Sequence, residues 1–486
     1  MKNMITYRSP HSRLGVFALV IGLFAATTAL AQPVIQGLLY KFGSSPDGQN
    51  PYGSVVVGVG GALFGTTLNG GQDGSGTVFK INPDGSGYAV LHSFTNSPDG
   101  ASPYASLVEG SDGMLYGTTY YGGTTNQGYS TAIGNGSGYG VVFKISPYGN
   151  DYAILHTFTN APDGVNPFAG LIQASDGMLY GTTLAGGTAN LGMAFRMNTD
   201  GSDYQILRSF TNTPDGAEPA GRLLQASDGM LYGTTQGGGN GEGGTIFKMS
   251  PDGSNYQILD SLVAGGSDGF SLQSGLIQGS DGELYGIASS SGFYGTESPP
   301  YPGTIFMIST NGTGFTVLHT FVGGSDGAVP YGTLTQGLGN ALYGTTYAGG
   351  TNVLGTIFEI NLGGGGYNVL YDFSYANGEY PSCTLVPGTA SDGSGVFYGT
   401  TLGGGTGNGT VFALTVNPAL TITPVTSQTT SNLTTVFWPA WAWNYTLQSN
   451  TNLNSTNWVN VTNSVPVMGA QVISTNPAVF YRLIAP

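Results

Sequence analysis

Few side chains in this chain are of types that do acid-base, nucleophilic or metal chemistry, and their positions restrict them. Beyond the N-terminal stretch the histidines are His92, His156 and His319. All three occupy one position of a repeated strand, where other copies carry Arg208, Asp260, Tyr371 and Tyr40. A general base or metal ligand does not tolerate such exchanges, so the position reads as a solvated strand face. Aspartates are more regular: Asp47, Asp99, Asp163, Asp215, Asp268 and Asp326, with Asn377 in a seventh copy, each precede a glycine. Calcium needs several oxygens converging from alternate positions. One Asp per loop fits a side chain capping its own turn, as do Asp84, Asp200 and Asp252 in a second set of turns. The single cysteine, Cys383, excludes a disulfide within the chain. It stands where other copies have Gly53, Ala105, Ala169, Gly221 or Gly332, which predicts a small packing site and not a nucleophile. Glu218, Glu242 and Glu297, with Arg222, are the charged departures from the repeat. Hydrolysis of a glycoside would need two of these carboxylates about 5 to 10 Å apart. No G-x-S-x-G, H-E-x-x-H, Walker loop or C-x-x-C occurs, and neither cofactor nor metal is expected.

The elements that must position these residues repeat. The string L-Y-G-T-T, or a close variant, places its glycine at Gly65, Gly117, Gly181, Gly233, Gly286, Gly344 and Gly399, at intervals of 52 to 64 residues. That period belongs to propeller blades and not to short solenoid turns. In the second copy Pro103 to Glu109, Met114 to Thr119, Gly140 to Ile145 and Tyr152 to Phe158 read as four strands, A to D, joined by turns such as Ser111-Asp112-Gly113. Tyr152, Ile154, His156 and Phe158 alternate with Ala153, Leu155 and Thr157, a period of two. Glycine after Asp or Asn supplies the positive φ that hairpin turns require. No segment after residue 31 carries a helical period. The fold class is therefore all-β, a seven-bladed β-propeller, with a parallel β-helix as the weaker reading because of the four-strand grammar. Blade seven lacks its own D strand, and an isolated D-like piece, Leu38 to Phe42, begins the array. The N-terminal strand is expected to close the ring on the last blade.

Composition agrees. The 84 glycines fall at turns, while 40% hydrophobic and 12% aromatic residues supply a large core. Lys2, Arg8 and Arg13 precede the apolar run Leu14 to Leu30, and Ala29-Leu30-Ala31 offers a signal-peptidase site. Residues 1–31 are thus expected to be a signal peptide and the mature chain to be exported, to the periplasm, the cell surface or the medium. Cleavage after Ala31 shifts the net charge from -15 to -18. Such a surface argues against nucleic acid and anionic membrane as partners, and no integral membrane span is expected after signal removal. Residues 32–415 form the expected propeller. From about Thr415 the repeat stops, and Trp438, Trp441, Trp443 and Trp458 all appear. Runs such as Tyr445 to Ser449 and Val479 to Leu483 predict a small C-terminal β-sandwich-like domain over residues 416–486.

The ordered string L-Y-G-T-T-x-x-G-G, G-T-[VI]-F-K-[IM], [VI]-L-H-[ST]-F-T-N and S-D-G-x-L-Y-G, covering Leu38 to Leu414, resembles the Gloeo/Verruco (GloVer) repeat of exported bacterial proteins of the choice-of-anchor type. The tail from Tyr445 through Trp458 to Leu483 also resembles a small β domain found on such secreted proteins. The resemblance implies export, with surface attachment or release, and carries no catalytic motif. Family members often end in a recognisable anchor, and none is expected from these residues.

In an antiparallel meander the A-B and C-D turns lie at one end and the B-C and D-A connections at the other. Both large insertions, Tyr120 to Tyr139 and Ser289 to Pro302, fall in B-C loops, and loop diversity on a rigid scaffold is where binding resides. Ligand contact is expected from Tyr120, Tyr121, Phe293, Tyr294 and Tyr347, with Glu218 and Arg222 nearby, while Tyr52, Tyr104, Phe168 and Tyr331 neighbour prolines at the A-strand entrance. Aromatic rings beside Gly, Thr and Asn loops suit sugar faces. The expected function is non-catalytic binding of carbohydrate or cell-envelope components on this face. The alternative is a polysaccharide lyase or glycoside hydrolase at the same place.

Overall fold

The structure is a computed structural model. It describes residues 34–416 except 59, 124–137, 290–302, 338–339 and 389–394, together with five short strands between residues 433 and 484. Seven four-stranded antiparallel sheets make a seven-bladed propeller. Blade two runs Val108–Glu109, Leu115–Thr119, Val141–Ile145 and Ala153–Thr157, the A to D order of the sequence. Among the described residues there is no α-helix, only a 3-10 turn at Gly324–Asp326. In blade seven the order is Val386–Pro387, Gly395–Thr401, Thr410–Val416 and then Val34–Lys41, which pairs antiparallel with Thr410–Val416.

The L-Y-G-T-T strand is regular because each of its positions meets a different neighbour. A Cβ on the central glycine would come within 2.4–2.7 Å of the C-strand phenylalanine ring, as Gly65 does with Phe79 and Gly399 with Phe412. Only glycine admits that ring. The preceding tyrosine is buried, yet its hydroxyl donates to the Asp of the A-B turn: Tyr116 to Asp112, Tyr180 to Asp176, Tyr232 to Asp228 and Tyr285 to Asp281, at 2.6–2.7 Å. The first threonine reaches the next blade, where Thr66 donates to the Ala105 carbonyl at 2.9 Å and Thr400 to that of Gly53 at 2.9 Å. The second meets a C-strand threonine in its own blade, Thr67 to Thr77 at 2.8 Å and Thr346 to Thr356 at 2.8 Å.

The hydrophobic core is divided among the seven interfaces between blades. Phe64 and Val78 of blade one pack with Leu107, Leu115 and Phe143 of blade two. Leu63 and Phe79 pack with Tyr398 and Val411 of blade seven. Each buried phenylalanine contributes about 2 kcal/mol at such a contact.

The C-terminal strands form two small sheets. Leu433–Val436 pairs with Ala470–Ile473, and Thr446–Asn450 lies between Val459–Asn460 and Phe480–Ile484. The four tryptophans and residues 1–31, the expected signal peptide, lie outside the described residues.

Candidate functional site

The A strands line the propeller axis, and the space between them is a cavity of about 690 Å³. Alternate A-strand residues face it. The residue after the A-strand proline gives one ring at the end where the D-A loops enter, with Tyr52, Tyr104, Phe168 and Tyr331 against Ala220 in blade four and Ser382 in blade seven; blade five, which has no proline there, places Gln273 at the equivalent position. Two residues further along lies a second ring, Ser54, Ser106, Thr333 and Thr384, with Gly170, Arg222 and Gly275 in blades three to five.

The second ring is stitched through half its circumference. Each backbone N–H donates to the hydroxyl of the next blade: Gly275 to Thr333 and Thr333 to Thr384 at 3.1 Å, Thr384 to Ser54 at 2.7 Å, and Ser54 to Ser106 at 2.8 Å. Blades two to four break the pattern. The N–H groups of Ser106, Gly170 and Arg222 face Gly170, Arg222 and Gly275 in the blade that follows, none of which has a hydroxyl to offer. Among the described residues that line the cavity, Arg222 is the one charged side chain. Its side chain is exposed to the water of the channel, and the density of protein around that channel lowers its pKa from the ordinary arginine value. Arg222 was expected on or near the loop face; it lines the channel, two residues before the paired A-strand residues Leu224–Gln225.

At the loop end the aromatic residues converge. Tyr52 lies edge-on to Tyr104 at 5.4 Å and to Phe168 at 5.7 Å, and Tyr104 is 5.1 Å from Tyr120. Tyr347 stacks on Tyr380 at 4.9 Å and meets Tyr331 edge-on at 5.4 Å. All of these rings are half-buried. Burial, then the neighbouring Tyr121, Tyr104 and Glu218, pushes the Tyr120 phenol up to about 12, so it stays a neutral donor. Loops of the two expected kinds meet on this face: Gly164–Val165 pairs with Ala185–Gly186, and Ala101 bridges Tyr121.

Of the expected contact residues, Tyr120 and Tyr347 are on this collar. Glu218 is exposed beside it, in a left-handed conformation with φ 58°, and close enough to raise the Tyr120 pKa. Tyr121 is buried, with its ring edge-on to Tyr120 at 4.7 Å, and is not offered to solvent. Phe293 and Tyr294, like Glu297, lie outside the described residues. Glu242 is exposed at the start of the C strand Glu242–Met249. The ring around Arg222 was not recognised from sequence, although aligning the A strands on their prolines sets Arg222 between two glycines.

The D-strand histidines correct the expectation of a solvated face. His92, His156 and His319 contact Asp99, Asp163 and Asp326 at 3.0–3.2 Å, with the imidazoles about 20% exposed. Each ring stacks on a tyrosine of the next blade, His92 on Tyr152 at 3.9 Å and His319 on Tyr367 at 3.7 Å. Arg208 does the same with Asp215 at 2.6 Å and Tyr256 at 4.0 Å. The aspartates also cap their turns, Asp99 accepting from Thr95 N–H at 3.0 Å and Asp163 from Thr159 N–H at 3.0 Å. Cys383 is buried and accepts from Thr400 N–H at 3.2 Å, and burial pushes its thiol up to about 11. Among the described residues no group of acidic, histidine or cysteine side chains is arranged to hold a metal ion. No helix among them is long and apolar enough to cross a membrane.

Fold and repeat define a seven-bladed propeller built from one recurring unit. Residues 24–131, 129–297 and 289–437 match the profile of the Gloeobacter/Verrucomicrobia repeat, and the chain belongs to that family. Curated proteins give no match. Among solved structures it is similar to the nidogen/laminin complex, with 14% identity, 64% of this chain and 93% of that chain covered, and a TM-score of 0.38. It is also similar to oligogalacturonate lyase from Vibrio parahaemolyticus, with 11% identity, 78% and 93% coverage and a TM-score of 0.48. An oligogalacturonate lyase in complex with manganese gives 10% identity, 76% and 90% coverage and a TM-score of 0.46.

Proposed function

We propose that this is an exported, non-catalytic binding protein that takes neutral glycans on the face where the B-C and D-A loops meet. The observation that carries the reading is the collar of half-buried rings, Tyr52, Tyr104, Phe168 and Tyr120 on one side and Tyr331, Tyr347 and Tyr380 on the other. Rings held at fixed angles by their neighbours offer apolar faces at little entropic cost, and sugar rings present matching C–H faces. The acidic surface disfavours polyanions at this rim. The same reading takes residues 1–31 as a cleaved leader, Val34–Lys41 as the strand that closes the ring, and residues 416–486 as a small sandwich-like domain.

The test replaces Tyr104, Tyr120 and Tyr347 together by alanine and compares retention on neutral polysaccharides with a control changed at Ser175 and Ser227, in A-B turns at the opposite end. Each stacked ring is worth about 0.5–1.5 kcal/mol, so the triple variant is expected to lose about tenfold or more in affinity. Equal binding by the two folded variants would place the ligand elsewhere.

A further inference from the structure

The interior of the channel differs from its rim in the polar groups it presents. Among the described residues its lining contains one cation, Arg222, and no carboxylate. Among the described residues the guanidinium has neither ion pair nor hydrogen bond, and its side chain is exposed to the channel, so its donors are open to a ligand. Beside it are the three N–H groups, of Ser106, Gly170 and Arg222 itself, that the hydroxyl stitching leaves out. Gly170 makes the space: a Cβ there would stand 3.8 Å from Arg222 Cδ, so the arginine stem lies across a position with no side chain. Gly275 on the other flank is a structural necessity, since its Cβ would come within 2.5 Å of the Arg222 carbonyl oxygen. The hydroxyls of Ser54, Ser106, Thr333 and Thr384 each accept one N–H, and their own protons are not committed to a described acceptor. Directly above Arg222 the rim carries Ala220 and, in the next blade, Gln273, so the aromatic collar does not block the approach from that side.

We propose that the channel is a second ligand site, separate from the collar, in which Arg222 and the neighbouring backbone amides bind the carboxylate of a small hydroxylated acid. A planar carboxylate takes two parallel N–H donors from a guanidinium. One positive charge with neutral donors matches a monoanion, and a dianion would leave uncompensated charge inside an already acidic chain. The cavity of about 690 Å³ is of a size that holds a small organic ligand. The hydroxyl ring then pairs with the hydroxyls of the ligand.

The probes are D-glucuronate, acetate and D-glucose, titrated calorimetrically into the intact protein at pH 7. Glucuronate is expected to bind saturably at one site, acetate more weakly, and glucose not at all in the channel. Arg222→Gln is expected to weaken glucuronate at least tenfold. Gly170→Ser, which keeps the charge but gives the Ser106 N–H a hydroxyl partner, is expected to weaken it severalfold. Without ligand, Arg222→Gln should melt within about 1 °C of wild type, because the exposed guanidinium makes no described contact that the fold would lose. The collar triple variant should keep glucuronate affinity within about twofold, which separates this site from the glycan reading. Wild type binding glucuronate no better than glucose, Arg222→Gln binding it as well as wild type, or Arg222→Gln melting several degrees lower, which would make the arginine structural, would each overturn the proposal.

Discussion

Asp99 and Asp163 hold opposing influences in balance. Burial raises the pKa of each carboxyl, but hydrogen bonds from His92 and Tyr152 at the first, and from His156 and Tyr204 at the second, bring both below the ordinary value. A carboxyl whose folded pKa is depressed contributes stability that is present above the unfolded value, about 3.9, and is lost as pH falls through the folded value. Melting temperature is therefore expected to fall steeply below about pH 4, and Asp99→Asn with Asp163→Asn should flatten that fall while lowering the plateau above it. Blade four lacks the pairing: Asp260 stands opposite Asp268, and burial, together with that like charge, raises its pKa. Asp260→His should supply the missing donor and raise the melting temperature by on the order of 1–2 °C at pH 7. These pairs were hidden in the sequence because attention fell on the variable member. His92, Arg208 and Tyr40 differ, yet all can donate to the Asp seven residues on, while in blade six the direction reverses and the Asn377 amide donates to the Tyr371 hydroxyl. The constant acceptor was visible as a turn cap. The stacking tyrosine, a blade away, was not.

Strand by strand, the repeat grammar gave blade order and loop sidedness correctly, since alternation and Asp-Gly turns act locally. What it missed was the role of single A-strand positions, because a channel wall is made by seven strands distant in sequence and no one of them shows the gap at Gly170 and Gly275. Val34–Lys41 shows how much one strand carries. It follows the edge of Thr410–Val416, and Phe42, just beyond it, is fully buried against Phe79 at 5.2 Å between ring centroids. Deleting residues 32–45 removes that burial and a ladder of hydrogen bonds, together worth about 5 kcal/mol or more. The deletion is expected to lower the melting temperature sharply and to promote aggregation through the exposed edge of Thr410–Val416, read by light scattering. An unchanged melting temperature would mean that blade seven stands with three strands.

Across the whole molecule, the apolar clusters straddle blade boundaries, so no blade has a core of its own. Tyr232 and Ile246 of blade four share a cluster with Leu284 and Phe306 of blade five, and Tyr285 of blade five shares another with Leu342 and Phe358 of blade six. The propeller is accordingly expected to unfold in one calorimetric transition, with calorimetric and van't Hoff enthalpies in agreement. Two resolved transitions within residues 34–416 would contradict this division of the core. The pairing of Val34–Lys41 with Thr410–Val416 also sets an order on biosynthesis. The strand that leaves the ribosome first has its partner encoded almost at the end of the array, and at ordinary elongation rates it waits on the order of a minute for it. During that interval blade one has only one neighbour, and Leu63, Phe79 and Ile81 lack their blade-seven contacts. The nascent chain therefore presents an open, apolar flank until its last blade is made, and any factor that shelters it needs to act at that flank and for that long.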